Sequence, residues 1–313
     1  MTKIAWTDKT WNPIRGCGRV SAGCKNCYAE RFAHRNLGGH YEGLTRMTAH
    51  GPRWTGEVRC IPEKLNEPLR WWKPRRVFVN SMSDLFHEKV PDEFIIGVFN
   101  TMRRAHQHVY QILTKRPQRM RDFCSRLRFD GSGSGLMWLA DTPDGAGYRL
   151  MGGNGCTGMP WVWLGVSVEN QQTADERIPL LLETPATVRW VSYEPALGPV
   201  NLRMGDRCAA CGGPSTQMKR LVCDDCGRLW SDAPLIDWLV VGAESGPGPR
   251  PCDVEWIRSV VQECKAAGVS CFVKQLGKRS YCDGGRGWVN NKHPKGADPA
   301  EWPEDLRVRE FPA

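Results

Sequence analysis

Gly16-Cys17-Gly18-Arg19-Val20-Ser21-Ala22-Gly23-Cys24-Lys25-Asn26-Cys27 is the stretch around which the rest of the chain is organised. It holds three cysteines, separated by six and then two residues. The preceding residues contain no apolar segment of the kind that directs secretion, so we expect a cytoplasmic protein with reduced thiols. Thiols packed this closely in a reducing compartment favour metal binding or redox chemistry over a disulfide.

The number of cysteines in this loop indicates the kind of metal centre. A structural zinc site takes four ligands, whereas a cubic iron–sulfur cluster held by three thiolates leaves one iron open to bind something else. We therefore predict a [4Fe-4S] cluster on Cys17, Cys24 and Cys27. Two alternatives stay open, namely three unrelated core cysteines or a zinc knuckle whose fourth ligand is His34, His40 or Cys60.

Composition is that of a globular protein able to bury a large core. The chain has 313 residues, 41% hydrophobic and 25% charged, which fits one large barrel-type domain or two ordinary domains. No apolar run has the length of a membrane span, so we expect no membrane association. After the cysteine loop, the helical spacing from Tyr28 predicts a helix with Tyr28 and Phe32 on one side, and residues 41–72 are interpreted as a long loop with one short helix.

The charge balance predicts a polyanionic partner. Net charge is +9, and lysines and arginines concentrate between Arg70 and Arg128. Such a balance favours nucleic acid, because neutralising phosphates releases counterions. Fourteen tryptophans are many for this length, and some of them could stack on bases. A generally basic surface with tryptophans packed in the core is the alternative.

Apolar, β-branched runs recur along the chain and alternate with segments of helical spacing. Alternating strands and helices predict parallel strands with right-handed crossovers. The fold class expected is α/β, a partial parallel (β/α)6-type barrel. The strand-like runs are residues 76–84, 109–116, 161–170, 188–195, 236–245 and 270–275, and the helical segments are 91–106, the stretch from 117, 174–183 and 254–267.

Each strand-like run ends in residues capable of chemistry. In a parallel barrel, ligands bind at the carboxyl ends of the strands, so these residues predict one shared polar site. Helix N-capping explains some of the serines, aspartates and asparagines, but not the lysines and glutamates. The candidate site residues are Ser81, Ser83, Asp84, Lys115, Arg116, Glu169, Glu194, Gly242, Glu244, Ser245 and Lys274.

Two segments interrupt the pattern. Residues 124–160 are rich in glycine and are interpreted as an insertion. The second interruption has two CxxC pairs separated by eleven residues, a spacing typical of a tetrahedral zinc site, and its predicted ligands are Cys208, Cys211, Cys223 and Cys226. We therefore predict a barrel over residues 1–277 with insertions at 124–160 and 203–232, followed by a C-terminal extension over 278–313.

The cysteine loop and the strand-end motifs together resemble the radical S-adenosylmethionine (SAM) superfamily. The chain looks most like its phage-associated three-cysteine-motif family, which is distantly similar to spore photoproduct lyase. The superfamily usually spaces its cysteines by three and two residues, so the loop geometry is not carried over. The matching motifs are the three cysteines and the sequences at residues 80–84, 113–117, 165–170, 192–195, 242–246 and 272–275.

The resemblance implies an enzyme in which SAM binds the open iron of a [4Fe-4S] cluster. One electron, from a reductant such as flavodoxin or ferredoxin, then cleaves SAM to a 5′-deoxyadenosyl radical that abstracts hydrogen from the substrate. Charge suggests the finer roles: Ser81, Ser83 and Asp84 for the ammonium of SAM, Lys115 or Arg116 for its carboxylate, and Glu169 for the ribose. The segment from Gly242 to Ser245 would admit adenine or a phosphate, and Glu194, Glu244 and Lys274 are the catalytic candidates.

The resemblance also suggests the substrate. The likeness to a thymine-acting enzyme implies modification, rearrangement or repair of a nucleic acid base or nucleotide, with lyase or isomerase chemistry on phage DNA as the leading case and DNA favoured over RNA. Base chemistry inside a barrel requires an extruded base or a single strand. The rival hypotheses are a non-catalytic, zinc-dependent nucleic-acid-binding protein and a passive iron–sulfur electron carrier.

Overall fold

The computed structural model describes residues 4–35, 39–129, 137–139, 156, 158–202, 236–282, 287–289 and 292–312. Five helices are present in this part of the chain: α1 (Tyr28–Arg35), α2 (Asp92–Arg104), α3 (Pro117–Arg126), α4 (Gln171–Glu183) and α5 (Val254–Ala267). The strands are β1 (Lys9–Trp11), β2 (Ile14–Arg15), β3 (Thr45–Thr48), β4 (Gly51–Trp54), β5 (Arg59–Cys60), β6 (Arg76–Val79), β7 (Val109–Thr114), β8 (Leu127–Phe129), β9 (Met137–Leu139), β10 (Val162–Val168), β11 (Val188–Tyr193), β12 (Trp238–Gly242), β13 (Cys252–Asp253), β14 (Ser270–Gln275), β15 (Ser280–Cys282) and β16 (Gly287–Trp288).

Seven strands form the main sheet, in the order β1-β6-β7-β10-β11-β12-β14. Six of them are the predicted strands, and the prediction of parallel strands separated by helices is confirmed. The seventh strand, β1, pairs in parallel with β6 and was missed, because three residues are too few for an alternating pattern to be recognised. The chain is therefore a mixed α/β protein, while closure into a (β/α)6-type barrel stays a prediction.

Burial explains why these runs become strands. All seven residues of β10 and all five of β12 are buried, as expected for parallel strands covered on both faces. The interpretation of these continuous apolar runs as parallel strands is therefore correct. The predicted helix over residues 254–267 is also confirmed at both ends: the Asp253 carboxylate accepts a hydrogen bond from the Glu255 amide, and Gly268 ends α5 with φ +69°.

Contacts divide the chain into two units, of which the first comprises residues 1–166 and 184–188. In this unit β3 and β4 form an antiparallel hairpin. The interpretation of residues 41–72 as one long loop is therefore wrong in part. The two hairpin strands are short, and Trp54 is their only buried residue. Their sequences therefore lack the alternation of apolar and polar residues from which a strand is predicted. The short helix expected near residue 62 is present as two 3-10 turns, Pro62–Lys64 and Glu67–Arg70.

The second unit comprises residues 167–183 and 189–313. Its last residues lie beside β14, where the amide of Glu310 donates to the carbonyl of Cys271 at 2.8 Å. Phe311 stacks on Trp238 with ring centroids 5.4 Å apart, and the Trp238 indole donates to the carbonyl of Glu310 at 2.9 Å. The end of the chain thus contributes to the core of this unit.

Within the described residues, we find no helix whose length and apolar character would let it cross a membrane.

Candidate functional site

The cysteine loop connects β2 to α1 in the first unit. Its second half is a 3-10 turn over Ala22–Cys24, and the amide of Cys27 donates to the carbonyl of Cys24 at 3.3 Å. All three thiols are half-buried and unpaired by disulfides. Cys17 and Cys27 pack against an apolar cluster formed by Ala29, Ala33, Tyr41, Leu44, Trp54 and Met82. Two of the three cysteines therefore lie against an apolar cluster to which α1, β4 and the segments around Tyr41 and Met82 contribute.

An ion pair between Arg19 and Glu30 connects the cysteine loop to helix α1. The Arg19 guanidinium donates to the Glu30 carboxylate, with Nε 2.8 Å from Oε1. Glu30 is 1% exposed and also accepts a hydrogen bond from the amide of Trp54 at 3.0 Å. One carboxylate thus joins the loop, α1 and β4. Sequence reasoning missed Glu30, because nothing in the sequence distinguishes it from a solvent-facing helical glutamate.

Two glycines allow the loop to approach its neighbours. Gly16 has φ +88°, and a Cβ there would lie 2.2 Å from the carbonyl oxygen of Glu57. At Gly18 a Cβ would lie 3.3 Å from His87 Nε2 and 3.4 Å from Arg116 Nη2. The left-handed backbone and the backbone contact at Gly16 require a residue without a side chain, whereas at Gly18 an added methyl group would only crowd the side chains of His87 and Arg116.

The thiols of Cys17 and Cys27 resist deprotonation when nothing is bound, because both have a raised pKa. Burial raises the pKa of Cys17 to about 12, and the negative charge of Asp84 adds to this effect while Arg116 opposes it. Burial also raises the pKa of Cys27. Since only the thiolate binds metals well, a metal centre here would have to displace protons from these sulfurs.

Asp84 connects the ends of two strands beside this loop. Its carboxylate accepts four hydrogen bonds: from the amide of Phe86 at 3.0 Å, the hydroxyl of Thr114 at 2.7 Å, the amide of Lys115 at 3.1 Å and Arg116 Nη1 at 3.1 Å. The side chain is buried. These contacts hold the segment that follows β6 against the end of β7.

Arg116 extends this network to the cysteine loop. Its Nε donates to Glu88 at 2.8 Å, and its Nη2 lies 3.5 Å from the carbonyl oxygen of Gly18. Burial by itself would lower the pKa of this guanidinium, but the charges of Asp84, Cys17 and Glu88 outweigh burial and raise it. A permanent positive charge therefore lies next to Cys17.

The predicted serines are held by the segment between β1 and β2. The Ser81 hydroxyl donates to Asn12 Oδ1 at 3.1 Å, and the Ser83 hydroxyl donates to the carbonyl of Ile14 at 2.9 Å. Each hydroxyl keeps lone pairs that can accept a hydrogen bond from an ammonium group. Tyr28, at the start of α1, donates to the carbonyl of Ser81 at 2.6 Å, so this segment is fixed from two sides.

Asn80, the first residue after β6, is an unusual buried amide. Its backbone is left-handed, with φ +60°, and its side chain is 3% exposed. Neither the Oδ1 nor the Nδ2 atom has a hydrogen-bond partner among the described residues. An orphaned amide at a strand end is costly unless water or a ligand pairs with it.

The second unit holds the remaining predicted site residues. Lys274 Nζ lies 2.6 Å from Glu194 Oε1, and both side chains are mostly buried. A Cβ on Gly242 would lie 3.4 Å from the same oxygen and 3.2 Å from the carbonyl oxygen of Gln275. Glu194, Gly242 and Lys274 are therefore neighbours, as expected for residues at the ends of the adjacent strands β11, β12 and β14.

Two other predicted glutamates are engaged in ion pairs of the second unit. Glu169 is 0% exposed and lies 3.4 Å from Arg177 Nη1. Glu244 binds Arg250 through both carboxylate oxygens, at 2.6 and 3.0 Å. The ribose contact of Glu169 and the catalytic role of Glu244 stay predictions, and Ser245, half-buried, follows Glu244 directly.

Several predictions concern metal ligands. The predicted zinc ligands lie outside the described residues, namely Cys208, Cys211, Cys223 and Cys226. About two thirds of the insertion predicted over residues 124–160 also lies outside them, while its described part includes the end of α3 and the β8–β9 pair. In the part of the chain that is described, no three His, Cys, Asp or Glu side chains are arranged around a position for a single metal ion. His34 Nδ1 lies 3.2 Å from the Thr45 hydroxyl, and His40 Nδ1 lies 3.1 Å from Arg15 Nη1. These two alternative zinc ligands each have one ring nitrogen engaged elsewhere.

Comparison with known proteins identifies a family but no individual relative. No curated protein and no solved structure matches the chain. One family, described as a protein of unknown function, matches over residues 1–298, which is nearly the whole chain. The chain therefore belongs to the DUF5131 family.

Proposed function

We propose that this protein is a radical SAM enzyme that modifies, rearranges or repairs a nucleic acid base or nucleotide. The observation that carries the proposal is the cysteine loop, which holds three half-buried thiols, two of them packed against an apolar cluster, with a permanent cation beside Cys17. A radical SAM cluster takes one thiolate on each of three irons, so its ligands need not converge on one metal position.

The donor set fits a [4Fe-4S] cluster on Cys17, Cys24 and Cys27. Three thiolates leave the fourth iron for SAM, and a partly apolar surrounding with nearby positive charge is among the features that set the potential of such clusters. When bound, the cluster would supply one electron for reductive cleavage of SAM to methionine and a 5′-deoxyadenosyl radical. The chain's own task is to orient SAM and the substrate and to exclude water.

The residues after β6 and β7 are suited to holding SAM. The hydroxyls of Ser81 and Ser83 retain acceptor lone pairs for its ammonium group, and the orphaned amide of Asn80 offers one donor and one acceptor nearby. Asp84 is saturated by four donors, so we assign it to holding Arg116 and the loop rather than to direct contact. Lys115, half-buried at the end of β7, remains our candidate for the carboxylate.

In the second unit, Glu194 and Lys274 are our candidates for contact with substrate. With Lys274 Nζ 2.6 Å from Glu194 Oε1, the pair offers a substrate a hydrogen-bond donor and a hydrogen-bond acceptor side by side. We propose further that the parallel strands close into a partial (β/α)6-type barrel and that Cys208, Cys211, Cys223 and Cys226 bind a structural Zn²⁺. Net charge of +9 and the resemblance to a thymine-acting enzyme support DNA as substrate.

Anaerobic purification followed by metal analysis tests the proposal. The reconstituted protein should be brown, contain about four irons per chain and release 5′-deoxyadenosine when given SAM and dithionite. Replacing Cys17, Cys24 or Cys27 by alanine should abolish colour and cleavage. Cys60→Ala is the matched control, since Cys60 is another half-buried cysteine of the same unit, and it should retain both.

The rival hypotheses give different results in the same experiment. A zinc-dependent binding protein would be colourless and contain zinc without iron. An electron carrier would be brown but would release no 5′-deoxyadenosine. Cleavage of SAM that survives the loss of Cys17, Cys24 and Cys27 would contradict our assignment.

A further inference from the structure

The segment that leads into β6 carries an exposed tryptophan among positive charges. Trp72 is 95% exposed, and it lies in the sequence Arg70-Trp71-Trp72-Lys73-Pro74-Arg75. Arg70, Lys73 and Arg75 are exposed as well. We call the exposed residues at the amino-terminal ends of β1, β6 and β7 the strand-start surface: Lys9, Arg70, Trp72, Lys73, Arg75 and Arg104.

The neighbouring tryptophan holds this segment in place. Lys9 Nζ lies 4.0 Å from the centroid of the Trp71 ring, and the His108 ring is 5.7 Å away. The Gln107 side chain donates to the carbonyl of Trp71 at 3.3 Å. Trp72 is therefore presented to solvent on an anchored backbone. An isolated indole that is almost fully exposed contributes little to folding and is typical of a binding surface.

Four cations of the strand-start surface form no direct ion pair among the described residues, namely Arg70, Lys73, Arg75 and Arg104. Burial would raise the pKa of Asp8, but its contacts with Arg76 and then the charge of Arg75 lower it, so Arg75 lies within electrostatic reach of one carboxylate. Asp8 binds Arg76 at 3.3 Å, and Glu67 binds Lys64 at 2.7 Å. The exposed Glu63 is the remaining acidic group of the adjacent 3-10 turn. The surface thus carries an excess of positive charge.

His108 is a buried side chain within reach of two of these cations. It is fully buried beneath the segment, with Nε2 3.2 Å from the carbonyl oxygen of Pro68. Burial lowers its pKa, and the charges of Lys9 and Arg75 lower it further, against the effect of the hydrogen bond to Pro68. Two cations that are distant in sequence therefore act on the same point in the fold.

We propose that the strand-start surface binds single-stranded DNA, with its lysines and arginines on phosphates and the Trp72 indole stacked on a base. Cationic side chains that follow a backbone, combined with an aromatic platform, form the usual binding mode for single strands. A membrane is a poorer fit, since interfacial binding requires a continuous apolar face and this surface offers one indole. Duplex DNA hides its base faces and leaves Trp72 without a partner.

The strand-start surface is separate from the cysteine loop. Lys9 is the first residue of β1 and Arg75 immediately precedes β6, whereas Asp84, Arg116 and the cysteine loop lie beyond strand ends in the same unit. With six residues in β7 and a rise of about 3.3 Å per residue, the two regions are about 20 Å apart. The surface would therefore retain a long strand without taking part in chemistry. The DNA binding proposed here does not depend on the proposed function. Only the further statement that the bound DNA is also the substrate rests on that function.

Fluorescence anisotropy with the full chain and a labelled oligothymidylate of about 30 nucleotides tests the proposal. Trp72→Ala should weaken binding by about tenfold or more, while Trp72→Phe should retain most of it. Replacing Arg70, Lys73 and Arg75 together by alanine should lower the slope of log K against log salt by about 2, since each cation contributes about 0.7 on single strands.

Matched controls distinguish a local site from bulk charge. Trp288→Ala removes another exposed tryptophan, 61% exposed in the second unit, and a triple alanine variant of the exposed residues Lys265, Lys292 and Lys295 removes the same charge elsewhere. Both should bind like the parent protein. An equal loss in these controls, or unchanged binding by Trp72→Ala and the Arg70 triple variant, would overturn the proposal.

Two further measurements separate this inference from other partners and from the enzyme assignment. Anionic phospholipid vesicles should not bind in a Trp72-dependent manner; if they do, the partner is a membrane and DNA is the wrong occupant. Release of 5′-deoxyadenosine should be unaffected by all strand-start substitutions. If the protein cleaves SAM but does not bind DNA through this surface, the proposed chemistry stands and the present inference fails. If the protein binds DNA through this surface but does not cleave SAM, the inference stands and the enzyme assignment fails.

Discussion

Arg116 Nη1 lies 3.1 Å from Asp84 Oδ2, and the two side chains are only 11% and 8% exposed. The same guanidinium reaches the carbonyl of Gly18, so this buried ion pair connects the ends of β6 and β7 to the cysteine loop. A cation and an anion removed from water in this way are stable only together. The geometry of the cysteine loop therefore depends on a contact between residues far apart in the chain.

The first prediction concerns this ion pair. Asp84→Asn keeps the shape of the side chain but leaves the buried Arg116 guanidinium with only the exposed Glu88 as counterion, so we expect the free energy of unfolding to fall by about 3 kcal/mol. Urea denaturation of the metal-free protein measures the change. Asp122→Asn serves as control, since Asp122 is 53% exposed and pairs with Arg121 in solvent; its cost should stay below about 1 kcal/mol. Equal costs for the two variants would show that the buried pair is not essential.

Gly16 allows a second prediction. Gly16→Ala must place a Cβ 2.2 Å from a backbone oxygen in addition to adopting φ +88°. Gly43→Ala adopts a similar φ of +75° with nothing within 4 Å. We expect a cost of about 1–2 kcal/mol for Gly43→Ala and at least about 2 kcal/mol more for Gly16→Ala, because a backbone clash adds to the conformational cost. If denaturation gives the two variants the same stability, the Gly16 loop differs from the one described.

His108 gives the third prediction, on pH dependence. Burial, followed by the charges of Lys9 and Arg75, lowers its pKa below the value of 6.5 expected in the unfolded chain. As pH falls below 6.5, the unfolded state takes up a proton that the folded state resists. The free energy of unfolding should therefore be fully retained above pH 6.5 and should decrease below it, by up to about 1.4 kcal/mol per pH unit.

Urea denaturation at several pH values checks this slope. His108→Gln should flatten it between pH 6.5 and the folded-state pKa, whereas replacing the exposed His50 by glutamine should not. His87, whose pKa is also lowered by burial, will leave a residual slope in both variants. An unchanged slope in His108→Gln would assign the whole effect to other groups.

The fourth prediction concerns Gly242 and the Glu194–Lys274 pair. Gly242→Ala would press a methyl group against Glu194 Oε1 and the carbonyl of Gln275. The displacement should reduce SAM cleavage or turnover by about tenfold or more, since small misplacements near reacting groups have large effects, with iron content unchanged. Gly198→Ala is the control, because its nearest neighbour would lie at 3.8 Å. Full activity in Gly242→Ala would remove Gly242 from the site.

Much of the fold was predictable because the buried face of a helix or strand appears in the sequence as a regular spacing of apolar residues. The six long strands and helices α2 to α5 follow from apolar runs and helical spacing, and α5 was predicted with its exact bounds. Helix α1 was located correctly, but its buried face consists of Ala29, Glu30 and Ala33, while Tyr28 and Phe32 are 56% and 52% exposed. Spacing identified the helix; it did not identify which face packs, since small residues can approach a hairpin more closely than aromatic ones.

The sequence by itself determined the types of the longer elements, the parallel direction of six main strands and the presence of three thiols in one loop. Each of these follows from patterns among residues that are near one another in the chain. Only the tertiary structure decided what surrounds those thiols. Glu30 pairs with Arg19. Asp84 accepts hydrogen bonds from Phe86 and from the three consecutive residues 114–116, and Arg116 reaches Gly18 across 98 positions. Residues this far apart in the chain become partners because of packing and because an unpaired buried charge or amide costs free energy. Neither effect can be recognised from a local pattern in the sequence.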